Sequence, residues 1–187
     1  KEVAEAGAEK AAKEAAEAGT EKTVKEVAET GVEKTVKEAS ENENVIIRYM
    51  ECRNQGLEGK VHPETGVEFV RKTVDDGTGN FVEGVFPKFD SAFDAKLPEE
   101  MFDKSNFTQF KEANRQLVEK TEKDPSLLKF FTDEQFEQIV DGIKTGVAPD
   151  GFVWHHNEET GVLQLVDDLV HSITGHTGGR AIWGGGY

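Results

Sequence analysis

Hydrophobic positions follow three different rhythms along the chain. Over the first forty residues a twelve-residue phrase repeats, "KEVAEAGAEKAA", "KEAAEAGTEKTV" and "KEVAETGVEKTV", before fading into "KEASENEN". Glu21 and Lys25, like Glu33 and Lys37, stand four apart and can pair along a helix, while Val24, Val27 and Ala28 form only a thin apolar stripe. With Gly7, Gly19 and Gly31 closing the phrases, residues 1–44 read as a low-complexity helical spacer rather than part of a core. From about residue 45 the rhythm changes. "VEFVRKTV" (67–74) and "FVEGVF" (81–86) alternate with period two around "DDGTGN", which predicts a β-hairpin whose second strand ends at Pro87. Between Ser105 and Lys120, the residues Phe107, Phe110, Ala113, Leu117 and Val118 share one helical face, with Ser105 as N-cap. "TDEQFEQIVDGIKTG" predicts another helix: Thr132 and Gln135 have capping-box spacing, Phe136, Ile139, Val140 and Ile143 share a face, and Gly146 stops it. After the turn "APDG", the short runs "GFVWHH" and "GVLQLV" predict a tight hairpin. Asp167 or Asp168 then caps a helix through "LVHSIT" that Gly175 closes. The expected fold class is α+β, with a folded domain over 45–187 ending in a strand–strand–helix unit at about 151–177.

Composition narrows the function classes. The 187 residues are 36% hydrophobic and 32% charged, enough for one core and a well-solvated surface. No apolar run approaches the ~20 residues of a membrane span. The opening "KEVAEAGAEK" lacks a signal-peptide layout, so export is expected to use another signal. A start at Lys rather than Met suggests a segment of a longer protein. The single cysteine, Cys52, excludes an internal disulfide and a Cys-rich zinc cluster, and reads as a buried thiol. Residues 45–187 hold 15 Lys and Arg against 25 Asp and Glu, the opposite of the basic face that nucleic-acid binders present. A transient catalytic contact with nucleic acid can rest on no more than a local patch, for which Arg71, Lys72, Lys88, Lys111, Arg115 and Arg180 are the candidates if the fold gathers them, and a bound cation adds positive charge.

The chemistry concentrates near the C-terminus. Four of the five histidines, His155, His156, His171 and His176, fall within 22 residues on the strand–strand–helix unit. His171 and His176 have the H-x(3–5)-H spacing that lets two imidazoles share a metal. Residues five apart on a continuous helix lie about 140° out of phase, so the helix must end at Gly175 and His176 must turn back. Successive strand residues face opposite ways, so His155 and His156 divide their work. One completes a three-imidazole site; the other, neutral near its unperturbed pKa of about 6.5, takes a proton from water. A cation beside a base is what phosphodiester hydrolysis needs. Trp154 and Trp183 read as local core, His62 as a loop or core residue, and Asp90 and Asp94 as turn or cap residues rather than metal ligands. Arg180, the lone Lys or Arg in 151–187, is the candidate phosphate contact. Two other classes compete. A protein-binding module would use the histidines for a structural zinc, with four protein ligands. A Ser or Cys hydrolase lacks any G-x-S-x-G elbow.

The stretch "PDGFVWHHNEETGVLQLVDDLVHSITGHTGGRAIWGGG" (149–186), with "HPETGV" and "GVFPKFDSAFDAKLPE" upstream, resembles the WHH branch of the HNH/endonuclease VII nucleases, from about residue 55 to the end. The resemblance implies a ββα-metal (His-Me) finger that binds a divalent cation (Mg, Mn, Zn or Ni) and cuts nucleic acid, DNA before RNA. By that resemblance His155, His171 and His176 are metal ligands and His156 is the general base. Gln164 stands nearest to the middle Asn of the HNH name, and Asn157 and Trp154 are supporting residues. The similar domains are toxic C-terminal parts of bacterial polymorphic toxins, which implies delivery into a competitor's cytoplasm and neutralisation at home by a cognate immunity protein.

Overall fold

A computed structural model of the protein describes residues 46–184. The helical spacer expected over 1–44 lies outside them. Strands β1 (Ile47–Tyr49), β2 (Glu68–Asp75) and β3 (Phe81–Lys88) form one sheet in the order β1-β3-β2, β1 parallel and β2 antiparallel to β3. The β2–β3 connection is the expected hairpin. Its acidic side chains organise the loop: Asp75 Oδ1 accepts from the Gly77 amide at 2.6 Å and Asp76 Oδ1 from the Thr78 amide at 2.9 Å. Pro87 does not end β3, which runs through Lys88 with Pro87 opposite Phe69. The Phe69 amide and carbonyl bond outward to Lys60 and Gly59. The pair is therefore a non-hydrogen-bonded one, and the missing Pro87 N–H removes no bond to β2.

The second sheet joins β4 (Ser91–Lys96), β5 (Phe152–His156) and β6 (Val162–Asp167) in the antiparallel order β4-β6-β5. Asp94, expected at a turn or cap, lies within β4 opposite Gln164. A register irregularity between Ser91 and Phe93 breaks the two-residue alternation that would otherwise advertise this strand.

Helices α1 (Asn106–Lys123) and α2 (Asp133–Thr145) start where their caps dictate. The Ser105 hydroxyl accepts from the Thr108 amide, Thr132 and Gln135 form a reciprocal capping box, and Gly146 ends α2 at φ 65°. They cover one face of the second sheet, and Ala95, Leu97, Ala113, Leu117, Ile139, Trp154, Leu163, Leu165 and Trp183 make the core between them. Two residues assigned to these apolar faces point outward instead: Phe107 is 53% and Val140 42% exposed. Both lie at the margin of their stripes, which the α1–α2 packing leaves uncovered. Gly142 is required at that crossing, since a Cβ there would sit 2.5 Å from Asn114 Nδ2.

The other face of the same sheet carries Val153, His155 and Val166, covered by Val67, Phe89 and α3 (Asp168–Thr174). Asp167 caps α3 by accepting from the Val170 amide at 2.8 Å, and Gly175 closes it at φ 51°. The two sheets meet at the β5–β6 loop. There Glu158, 2% exposed, holds Lys72 of β2 at 2.5 Å, and the Thr160 hydroxyl donates to the Asp75 carbonyl. Cys52 and His62 are buried, as read from the sequence. Among the described residues no helix is long and apolar enough to cross a membrane.

Candidate metal centre

Alternation along β5 sends its two histidines to opposite faces. His156 shares the helix-covered face with Trp154, while His155 shares the other with Val153 and stands opposite Gln164 of β6. On that second face α3 supplies His171, and the left-handed turn at Gly175 swings His176 back towards it. His171 Nε2 and His176 Nε2 lie 3.3 and 3.2 Å from His155 Nδ1. All three nitrogens fall within 4.8 Å of one another, the one such group of potential ligands among the described residues.

Three features suit this cluster to a cation. Burial, reinforced by the neighbouring imidazoles His176, His171 and His156, holds His155 well below the ordinary imidazole range. Burial likewise pushes His176 down to about 4, with further repulsion from His171 and Arg53, and lowers His171 against the opposing pull of Asp168. The rings are therefore neutral, with lone pairs to offer. Phe89, just after β3, touches all three at centroid distances of 5.0, 5.4 and 5.1 Å. The outward nitrogens His155 Nε2 and His176 Nδ1 are buried without a hydrogen-bond partner. Apolar packing by Phe89, rather than hydrogen bonding at those atoms, thus sets the orientation of these rings. Finally, His171 and His176 are only partly buried, so the cluster opens to solvent on the α3 side.

His156 sits in a different setting, between Phe110 and Trp183, with Nε2 2.7 Å from Gln109 Oε1. Gln109 Nε2 donates to the carbonyls of Met101 and Phe102, which leaves its oxygen facing the ring. His156 Nε2 must therefore carry the hydrogen, and Nδ1 the lone pair. The expectation of a pKa near 6.5 does not hold. Burial first, and the charge of Arg180 second, push His156 down to about 4.

The loop after His156 is held by side chains from the loop itself and from β6 and β4. Asn157 Nδ2 donates to Gln164 Oε1 at 2.9 Å, and Gln164 Nε2 donates to Asp94 Oδ1 at 3.2 Å. Asn157 Oδ1 accepts from the Glu159 amide, and the Asn157 carbonyl accepts from Trp183 Nε1 at 2.9 Å. Gly179 lies so close beneath this carbonyl that a Cβ would come within 1.8 Å of it. Trp154 and Trp183 are core residues, 3% and 6% exposed.

Most of the candidate cations are paired with carboxylates. Arg71 pairs with Glu58 and Glu83, Lys72 with Glu158, Lys88 with Glu68, and Arg115 with Glu112 and Glu119. Lys111 lies over the Phe107 ring. An excess of carboxylates gives most of the candidate cations an acidic neighbour. Arg180 alone of the six acts on the site, through His156. Phe89, Gln109 and Arg53 were not singled out from sequence. Gln109 did leave a signal, being the polar member of a stripe it shares with Ala113 and Leu117 at four-residue spacing.

A family model described as the DNase/tRNase domain of colicin-like bacteriocins matches residues 78–178, more than half of the chain. No curated protein and no solved structure matches it.

Proposed function

The chain belongs to the DNase/tRNase domain family of colicin-like bacteriocins, and on that premise we propose that it is a metal-dependent endonuclease of the HNH type, in its WHH branch, acting on DNA in preference to RNA. The observation that carries the reading is the convergence of His155, His171 and His176 within 4.8 Å, with a neutral histidine on the neighbouring strand position. The β5–β6–α3 unit then serves as the ββα-metal finger. Three protein ligands rather than four among the described residues favour a catalytic over a structural ion.

When bound, a divalent cation supplies charge for the phosphoryl group and the leaving oxygen. His156 takes the proton from the attacking water at Nδ1, which the Gln109 bond keeps unprotonated. Once protonated, the imidazolium is disfavoured by burial and by Arg180, so it surrenders its proton readily. Arg180 offers a guanidinium to the phosphate, and the Asn157–Gln164–Asp94 chain keeps the loop after His156 in place. The wider reading is a toxin delivered into a target cell and restrained in its producer by an immunity protein, whose binding to so acidic a domain is expected to weaken with salt.

Incubating the full chain with plasmid DNA and with RNA, each with Mg, Mn, Zn or Ni and each with excess chelator, tests the proposal. Plasmid nicking and linearisation that chelator abolishes is the expected result. Metal-replete protein that leaves both nucleic acids intact refutes the nuclease reading.

A further inference from the structure

We propose that Arg53, outside the residues the family model matches, is a substrate-binding residue that grips a backbone phosphate at the open rim of the histidine cluster. The proposal rests on the nuclease reading above. Three hydrogen bonds bring this residue to the site across more than a hundred positions of sequence. The Arg53 amide donates to Thr177 Oγ1 at 2.9 Å, and Asn54 Nδ2 donates to the carbonyls of Thr174 and Gly175 at 2.9 and 2.7 Å. Asn54 adopts the left-handed region, φ 63°, to do so. The loop is thereby pinned to the turn that aims His176.

The guanidinium lies across Gly175. A Cβ on that glycine would stand 2.9 Å from Arg53 Cζ and 3.0 Å from Nε and Nη2. Its charge reaches His176, where it adds to the repulsion against protonation. What distinguishes Arg53 is the company it lacks. In a chain of formal net charge −15, Arg71 and Arg115 each hold two carboxylates, yet among the described residues the Arg53 guanidinium has neither an ion pair nor a side-chain hydrogen bond. The residue itself is exposed. Bracing the helix end does not account for the charge, because Asn54 already satisfies those carbonyls.

An unneutralised cation beside a cation site opposes metal binding unless an anion joins both. A phosphodiester does this: one oxygen faces the imidazole cluster and another meets the planar fork, the geometry in which arginine excels.

The test compares full-length wild type with Arg53→Gln and Arg53→Lys. Binding of a fluorescent DNA duplex is followed by anisotropy in chelator between roughly 50 and 200 mM salt, alongside steady-state cleavage with metal. Arg53→Gln is expected to weaken binding by about ten- to a hundredfold and to flatten the log Kd against log salt slope by about one. KM is expected to rise more than kcat falls, and Arg53→Lys to recover the slope with only part of the affinity. Melting temperature is expected to stay at the wild-type value in both variants, and metal affinity without nucleic acid to hold in Arg53→Lys and not to fall in Arg53→Gln. A Gln variant that matches wild type in Kd and slope, while wild type cuts DNA, overturns the assignment to Arg53 alone. Parallel losses of melting temperature or metal affinity overturn it in favour of a structural role. A wild type that cuts nothing removes the nuclease reading and this one with it.

Discussion

At the scale of single residues, the doubled histidine divides into two environments that predict separable phenotypes. His156→Ala is expected to keep metal affinity while cleavage falls by ~10²–10⁴-fold, the usual worth of a general base. His155→Ala is expected to lose both. Calorimetric metal titration beside a plasmid assay separates them, and equal loss of metal in the two variants contradicts the assignment. Because burial and Arg180 hold His156 near 4, the free base persists across neutral pH. Accordingly, kcat/KM, which reports the free protein, is expected to show no rise through 6.5 attributable to this group and to decline only as pH approaches about 4. Phe89 permits a second prediction. It packs on all three histidine rings of the cluster without offering a donor atom of its own. Phe89→Ala frees the rings to rotate and is expected to weaken metal affinity by roughly 10–100-fold, as loss of orienting contacts does elsewhere. Unchanged titration curves refute that role.

At the scale of elements, the seven-residue α3 depends on its stop as much as on its start. Gly175 combines a positive φ with contact from the flexible end of Arg53, so Gly175→Ala faces backbone strain and displaces that guanidinium. We expect a loss of more than 1 kcal/mol and a melting point lower by at least ~2–4 °C. Metal affinity is expected to fall as His176 swings away, which titration beside thermal melting reveals. Retained affinity in a folded variant means that His176 does not need this turn. The two long helices illustrate a different dependence. Their caps are local and were legible from Ser105, Thr132, Gln135 and Gly146, whereas the exposure of Phe107 and Val140 is settled by where α1 and α2 meet.

The whole molecule gathers imidazoles that burial keeps neutral, and this makes its stability depend on pH. His155, His156, His171 and His176 all have folded pKa values below 6.5, two of them at about 4. Between those values and 6.5 the unfolded chain binds protons that the folded protein refuses, so acid favours unfolding. The contribution is fully present above pH 6.5. It declines as pH falls towards about 4, by up to about 1.4 kcal/mol per pH unit for each histidine that remains neutral in the fold. Metal-free protein is expected to melt progressively lower across that interval in scanning calorimetry, and His156→Leu to make the decline shallower. A melting temperature that is flat from pH 6.5 to 4 contradicts the burial argument.

Features that local chemistry decides can be read directly along the chain. The β2–β3 hairpin follows from alternation around acidic and glycine turn residues, the two long helices from their caps and spacing, and α3 from Asp167 and Gly175. The division between His155 and His156 follows from strand alternation alone, and the need for His176 to turn back follows from helical phase. The remaining features come from three-dimensional packing, because they arise from partners distant in sequence. Strand β4 carries a bulge that hides its period, and three-residue β1 is identified by its pairing with β3. Phe89 gains its place from the packing of the two sheets, and Gln109 acquires His156 across the α1–sheet interface. The acidic surplus pairs most of the candidate basic residues with carboxylates, while the loop at Asn54 carries Arg53 to the rim of the cluster. A one-dimensional pattern records propensity and periodicity; it does not record which of many carboxylates each cation meets.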